Sequence, residues 1–210
     1  MSGITALFWD VGGVILTNGW DRDSREAAAA KFGLDPLELE DRHELAFPAF
    51  EVGRAALNQY LDRTVFYQQR PFSKQDFVDF MYAQSRELPE SRAVVDRVAR
   101  TGRYLVAALN NEGAELNAYR IEKFNLRRTI ELFFSSCYVG SRKPNAPIYE
   151  MALRVTQRNP AECIFVDDRE ANLECPRELG MNTIHFQNAA QLEADLRKMG
   201  VEIGAATAAK

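Results

Sequence analysis

The sequence predicts an α/β fold, a doubly wound parallel sheet of the Rossmann-like kind with a helical segment inserted after its first strand. Short apolar segments, rich in β-branched and aromatic residues and without alternating polar positions, are typical of strands covered on both faces. Amphipathic helical patterns lie between most of these segments, and such alternation favours parallel β-α-β units. One long stretch after the first segment contains only helical patterns, which indicates an inserted helical unit.

Five apolar segments are predicted to be the strands. They are residues 4–9, 104–109, 132–137, 163–166 and 182–186. Four helical patterns accompany them, at residues 90–101, 147–156, 171–179 and 189–199. In the first of these helices, Val94, Val95 and Val98 share one face, as the helical period requires. Right-handed crossovers between parallel strands then bring the carboxyl ends of the strands to one rim of the sheet.

Residues 18–88 interrupt the alternation of strands and helices. The predicted helices there are residues 24–32, 36–47, 55–66 and 73–86, and the stretch is rich in aromatic residues. We expect these aromatic side chains to form a small core of their own. Because the insertion follows the first strand directly, we expect it to stand over the carboxyl rim as a cap. The predicted domains are an α/β core of residues 1–17 and 89–203, a helical cap of residues 18–88, and a flexible tail of residues 204–210.

The composition narrows the class of partner. The chain has 210 residues and a formal net charge of -4, which argues against nucleic acid or an anionic membrane surface as the main partner. No apolar run approaches the roughly 18 residues that span a bilayer, and the first residues lack the basic segment of a secretory signal. Cys137, Cys163 and Cys175 show no C-x-x-C spacing and are interpreted as reduced thiols of a cytoplasmic protein. We expect a monomer or a homodimer. His43 and His185 are isolated in the sequence, so they indicate no zinc site, and we expect core or surface roles for them.

Acidic and amide side chains follow the predicted strands at the rim where open α/β sheets bind their ligands. Asp10 ends the first strand, and Gly12 and Gly13 allow a sharp turn after it. The others are Asn110 and Asn111 after the second strand, Lys143 after the third, Asp167 and Asp168 after the fourth, and Asn172 four residues further on. Three carboxylates brought together repel one another unless a cation lies among them. Oxygen ligands beside one lysine suit Mg²⁺ and a phosphate group.

In four segments the chain resembles the haloacid dehalogenase (HAD) superfamily of hydrolases, in the branch with a helical cap after the first strand. The segments, in order, are FWDVGGVI at 8–15, VAALNN at 106–111, RKPNAPIY at 142–149 and IFVDDREAN at 164–172. The resemblance covers nearly the whole chain, and the last two segments are specific in this order and spacing. By these motifs the chain is similar to glucose-1-phosphatase-like phosphatases and to the phosphatase domain of soluble epoxide hydrolases.

This resemblance implies a Mg²⁺-dependent phosphatase that acts on a small phosphorylated metabolite. Asp10 would attack phosphorus and form an aspartyl-phosphate, which water then hydrolyses. The side chains of Asp10 and Asp168 and the main-chain carbonyl of Gly12 would hold Mg²⁺. Lys143 would neutralise charge between the nucleophile and the phosphate.

The same resemblance assigns supporting roles to the remaining rim residues. Asp167 and Asn172 would act near the metal or through water, and Asn111 would support the site from the end of the second strand. Asn110 takes the position of the serine or threonine that binds phosphate in the family. An amide can still donate hydrogen bonds, but with a different geometry.

A second departure from the family pattern is Gly12, which stands where the family has an acid that protonates the leaving group. General acid-base catalysis is typically worth about 10²–10⁴-fold in rate, so turnover is expected to be slow or narrow in substrate range. Two alternatives stay open: a catalytically inert ligand-binding protein, and a 2-haloacid dehalogenase, against which the pair Asp167 and Asp168 argues. The substrate is not set by the motifs. Trp20, Arg22 and Arg54 are candidates for the pocket by position, although structural or solvated roles are the stronger expectation for each.

Overall fold

The computed structural model describes residues 3–205 and contains a parallel sheet of five strands. The strands are β1 Ala6–Trp9, β2 Leu105–Asn110, β3 Leu132–Ser135, β4 Cys163–Asp167 and β5 Asn182–His185. Their order in the sheet is β3-β2-β1-β4-β5 and every neighbouring pair is parallel. The predicted α/β fold is therefore confirmed. The first strand lies at the centre, with Trp9 level with Ala108 on one side and Val166 on the other.

Ten α-helices surround or extend the sheet in the described part of the chain. They are α1 Arg22–Phe32, α2 Pro36–Glu51, α3 Leu57–Thr64, α4 Lys74–Ala83, α5 Pro89–Ala99, α6 Ala114–Lys123, α7 Ser136–Val139, α8 Ala146–Thr156, α9 Ala171–Glu178 and α10 Ala189–Lys198. Two short 3-10 helices are Leu126–Arg128 and Pro160–Glu162. None of the helices within residues 3–205 is long and apolar enough to cross a membrane.

Both faces of the sheet are buried, which explains why the strands show no polar alternation. In β1, Leu7 and Trp9 belong to the cluster that packs against α5 and α10. Ala6 and Phe8 point into the cluster on the opposite face, which includes Ile148 of α8. All four side chains of β1 are fully buried.

Helix α6 was not predicted, and the predicted third strand ends too late. The buried face of α6 consists of Leu116, Asn117, Arg120 and Ile121. Half of that face is polar, so the apolar periodicity that identifies a helix is weak there. Residues 136–137, predicted as the end of a strand, instead begin α7.

Helices α1 to α4 lie within residues 18–88 and share one apolar cluster, as expected from the aromatic content. Its members include Phe50, Tyr60 and Phe77, together with Leu116 from α6. The two connections to this unit run side by side, because the Thr17 amide donates to the Arg86 carbonyl at 2.8 Å. The division into core and cap stays a prediction. Of the predicted tail, the Gly204 amide donates to the Arg97 carbonyl at 3.2 Å, and residues 206–210 lie outside the described residues.

Candidate active site

Asp10 follows the central strand and is buried at the carboxyl rim. The Asp10 amide donates to the Val166 carbonyl at 2.8 Å, which continues the pairing of β1 with β4 by one residue. The Oδ1 atom of the Asp10 side chain accepts a hydrogen bond from the Val11 amide at 2.8 Å. The backbone therefore fixes the carboxylate at the point where the chain leaves the sheet.

Lys143 lies between two buried carboxylates. Its Nζ is 2.9 Å from Asp10 Oδ1 and 2.6 Å from Asp167 Oδ2, and the residue is 3% exposed. Asn111 positions the lysine backbone from the end of β2, since its side chain accepts from the Lys143 amide and donates to the Lys143 carbonyl. The ammonium group is thus held against Asp10 by a rigid framework.

Asp167 is fixed on its other side. Its Oδ1 accepts from the Arg169 amide at 2.8 Å and from Asn172 Nδ2 at 3.0 Å. Both carboxylate oxygens of Asp167 already have partners, so this side chain orients Lys143 and Asn172. The supporting role of Asp167 and Asn172 in the reaction stays a prediction.

The three acids form a group that fits a divalent cation. One carboxylate oxygen from each of Asp10, Asp167 and Asp168 lies within 4.8 Å of the others. Asp168 Oδ1 is buried and has no hydrogen-bond partner in the described part of the chain. A buried, unpartnered carboxylate oxygen is costly unless a cation or water satisfies it. The residues present therefore suit a hard cation such as Mg²⁺.

The glycines after Asp10 let the backbone pass close to the Asp168 carboxylate. Gly13 has a φ of 75°, and a Cβ there would lie 2.2 Å from Asp168 Oδ2. Gly12 does not adopt a positive φ. A Cβ at Gly12 would lie 3.0 Å from Asn18 Oδ1 and 3.9 Å from Arg120 Nη1, so these groups border the place of the missing acid.

Burial and mutual repulsion shape the titration of the site. Burial raises the pKa of Asp10 to about 7, although Lys143 opposes the change. Burial, and then the charge of Asp167, raise the pKa of Asp168. Burial works against the charge on Lys143, but the carboxylates of Asp10 and Asp167 outweigh it and raise the pKa of the lysine. The charged forms of Asp10 and Asp168 are thus disfavoured in the free site, and a bound cation would offset this cost.

Asn110 is turned away from this cluster. Its Nδ2 donates to Asn117 Oδ1 at 3.0 Å, its Oδ1 accepts from Ser135 Oγ at 2.8 Å, and the residue is 2% exposed. The amide thus belongs to a buried network that joins β2, β3 and α6. Phosphate binding by its side chain stays a prediction.

A cavity of about 310 Å³ opens above Asp10. Its lining combines the rim with α1, α2 and the loop before α1. The lining residues are Asp10, Gly12, Asn18, Gly19, Trp20, Asp21, Arg22, Arg25, His43, Phe47, Glu51, Asn111, Glu112, Arg120, Lys143, Arg169 and Asn172. Trp20 and Arg22 were candidates from the sequence and do line it, whereas Arg54 is exposed and does not.

Sequence reasoning missed several of these lining residues, among them His43, Phe47, Glu112 and Arg120. No motif marks them, because their place in the cavity depends on how α2 and α6 pack. One signal was available: Glu112 directly follows the amide pair at the end of β2. It is buried and pairs with Arg120 at 2.7 Å.

Two relatives of known name align with the chain, one over nearly its whole length and one over about a third of it. The flavin mononucleotide hydrolase 1 of Arabidopsis thaliana is 27% identical over 198 residues, which is 94% of this chain and 78% of that protein. The bifunctional epoxide hydrolase 2 of Mus musculus is 35% identical over 74 residues, which is 35% of this chain and only 13% of that much longer protein.

Solved structures show the same fold. A HAD family enzyme of Bacteroides thetaiotaomicron, solved with magnesium and inorganic phosphate, superposes with a TM-score of 0.76 at 20% identity. The superposition covers 90% of this chain and 99% of that one. The family model for haloacid dehalogenase-like hydrolases matches residues 4–180, which include Asp10, Lys143 and the pair Asp167 and Asp168. The resemblance seen in the four sequence segments is thus confirmed, and the chain belongs to the family of haloacid dehalogenase-like hydrolases.

Proposed function

We propose that this protein is a Mg²⁺-dependent phosphatase that hydrolyses a small phosphorylated metabolite through an aspartyl-phosphate on Asp10. The observation that carries the proposal is the cluster itself. A buried carboxylate at the rim touches a buried lysine at 2.9 Å, and two further acids lie beside it with one oxygen unpartnered. Relatives named as phosphatases or phosphate-ester hydrolases support the same reaction class.

The reaction has two displacements at phosphorus. A carboxylate oxygen of Asp10 attacks phosphorus, the bond from phosphorus to the leaving oxygen breaks, and that oxygen takes a proton. Water then attacks the phosphorus of the aspartyl-phosphate and loses a proton. This step releases inorganic phosphate and restores the carboxylate.

Lys143 serves both displacements. Its ammonium group lies against the attacking carboxylate and offsets negative charge as the phosphoryl group arrives. Asp167 holds the lysine in place, and Asn111 holds its backbone. None of these groups needs to move for the attack.

Mg²⁺ would be held by the side chains of Asp10 and Asp168 and by the Gly12 carbonyl. When bound, it supplies positive charge to the phosphoryl oxygens and lowers the repulsion between the acids and an anionic substrate. Asp167 and Asn172 would support this set from behind.

The reaction needs a proton for the leaving group, and the residues named so far do not supply it. Gly12 offers no acid, and the atoms next to its position are Asn18 Oδ1 and Arg120 Nη1. An amide and a guanidinium are poor proton donors at neutral pH. We therefore expect good leaving groups to react faster than alkyl alcohols.

A release assay tests the proposal. The protein is incubated with FMN, with a panel of sugar and polyol monophosphates, and with 2-haloacids, each with and without Mg²⁺. Release of inorganic phosphate that requires Mg²⁺ and disappears in Asp10→Asn supports the proposal. Metal-independent halide release would instead show a 2-haloacid dehalogenase, and release of neither product with specific ligand binding would show an inert binding protein.

A cytoplasmic location and a monomeric or homodimeric state stay predictions.

A further inference from the structure

His43 lies on α2 and lines the cavity that opens above Asp10. The residue is 6% exposed, and its ring packs on Phe47 with 4.4 Å between ring centroids. It is a polar group with little freedom that shares a cavity with the nucleophile proposed above. The reaction proposed above does not use it.

A chain of hydrogen bonds fixes which ring nitrogen of His43 carries the proton. Trp20 Nε1 can only donate, and it donates to the Tyr60 hydroxyl oxygen at 2.8 Å. That hydroxyl lies 2.8 Å from His43 Nδ1. Tyr60 is 1% exposed, and Thr64, whose hydroxyl donates to the Tyr60 carbonyl at 2.9 Å, is the other polar side chain close to the Tyr60 hydroxyl. Within hydrogen-bonding distance among the described residues, this hydroxyl meets Trp20 Nε1 and His43 Nδ1. The tyrosine proton therefore goes to Nδ1, which acts as the acceptor, and the neutral ring carries its own proton on Nε2.

The ring is neutral at physiological pH for a separate reason. Burial, and then the nearby Arg25, lower the pKa of His43 to about 4, against the opposing effect of Glu40. Nε2 bonds no described residue and is not among the buried atoms that lack a partner, so solvent reaches it, and the residue lines the cavity. His43 thus presents a single N–H donor of fixed orientation.

Most of the charged residues that line the cavity near α1 and α2 are in ion pairs. Arg25 forms an ion pair with Glu40 at 2.6 Å, and Arg22 pairs with Glu26 at 3.0 Å. Glu51 pairs with Arg142, and Glu112 pairs with Arg120. Asp21 and Arg169 also line the cavity, and neither forms an ion pair with a described residue. The cavity therefore offers both charged groups and neutral ones such as His43.

We propose that the Nε2–H of His43 hydrogen-bonds an uncharged oxygen of the leaving group, and that Tyr60 is the positioning residue that holds His43 in this tautomer. The substrate class is a phosphate monoester whose leaving group carries an uncharged oxygen. This inference rests on the proposed phosphatase function. It identifies a specificity determinant that no motif of the sequence marks.

The substrate part is tested by comparing hydroxylated monoesters, such as sugar and polyol monophosphates, with phenyl phosphate, whose leaving group has no oxygen beyond the bridging one. His43→Phe should lower kcat/KM for the hydroxylated esters about tenfold, mainly through KM, as expected for one lost hydrogen bond. Thermal unfolding checks that this variant, in which the Tyr60 hydroxyl loses its acceptor, is folded. It should change phenyl phosphate hydrolysis less than about twofold. His43→Gln, which keeps an N–H donor, should recover part of the loss.

The positioning part has a readout independent of turnover. Nitrogen NMR of labelled histidine should show His43 protonated on Nε2 in the parent protein and a mixture of tautomers in Tyr60→Phe. Equal losses on both classes of ester, no turnover of any hydroxylated ester by the parent, or a parent His43 protonated on Nδ1 would each overturn the proposal. Failure of the proposed phosphatase function is distinguishable, because then phenyl phosphate itself is not hydrolysed.

Discussion

Replacing Lys143 with methionine tests the electrostatics of the site most directly. Methionine has a similar length and fills the buried space, but it removes the only ammonium group in contact with Asp10 and Asp167 in the described structure. Removing one partner of a buried ion pair typically destabilises a protein by about 3–5 kcal/mol, because the remaining charge is buried and uncompensated. Protonation of Asp10 limits the loss, so we expect a value near 3 kcal/mol without metal.

The same variant should bind Mg²⁺ more tightly, although it should be inactive. At an effective dielectric constant of about 20, two unit charges about 4 Å apart interact by roughly 4 kcal/mol. The ammonium group of Lys143 repels a metal ion bound beside it. If removal of the lysine relieves a quarter of a repulsion of that size, Mg²⁺ binding strengthens by about 1 kcal/mol, or roughly fivefold in affinity. By linkage, Mg²⁺ then raises the free energy of unfolding more in Lys143→Met than in the parent.

Urea unfolding with EDTA and with saturating Mg²⁺ measures both effects, and phosphate release measures activity. Lys198→Met is the matched control, because the Lys198 side chain is 75% exposed and pairs only with Asp195. It should change the free energy of unfolding by less than about 0.5 kcal/mol. The reasoning is refuted if Lys143→Met costs less than about 1 kcal/mol without metal, or if Mg²⁺ stabilises the variant no more than the parent.

Three further predictions concern the neighbouring residues. Gly13→Ala should abolish most of the Mg²⁺-induced stabilisation, because the added Cβ meets Asp168 at 2.2 Å. The control is Gly33→Ala, at a similar φ of 62° with nothing within 4 Å, which carries only the backbone cost of about 1 kcal/mol and should keep the Mg²⁺-induced stabilisation. Equal behaviour of the two variants would count against the argument. In metal-free protein the raised pKa of Asp10 gives a contribution to stability that is complete below about pH 4 and is lost as pH rises through 7. The free energy of unfolding of the parent, minus that of Asp10→Asn, should therefore fall over that range. A difference that is independent of pH would contradict this argument. Because Gly12 supplies no proton, phosphate release from substituted phenyl phosphates should depend steeply on the leaving-group pKa. Gly12→Asp should flatten this dependence, and a flat series for the parent, with chemistry rate-limiting, would place the proton donor elsewhere.

The strand ends were predictable because parallel topology is a strong constraint. Once the apolar segments are identified as parallel strands, right-handed crossovers leave one rim for all their carboxyl ends. Asp10, Lys143 and Asp168 could therefore be placed together before any coordinates were known.

The tertiary structure decided two points at this rim. Asn110 ends its strand as predicted, but Asn117 and Ser135 take up its amide. Helix α6 carries Asn117, and the sequence shows that helix only weakly because its buried face is half polar. The spacing of apolar residues does not reveal a buried network of polar side chains.

The wall of the cavity opposite the rim also depended on the tertiary structure. An amphipathic pattern predicts that α2 buries one face, and the aromatic cluster of α1 to α4 confirms such a face. The pattern does not say which turn of α2 meets the rim, because apolar packing is non-directional and roughly proportional to buried area. His43 gains its orientation only when Trp20 and Tyr60, 23 and 17 residues away in the chain, come within hydrogen-bonding reach. The sequence by itself thus determined the fold and the acids at the strand ends, whereas tertiary packing alone decided which residues of the inserted helices line the cavity.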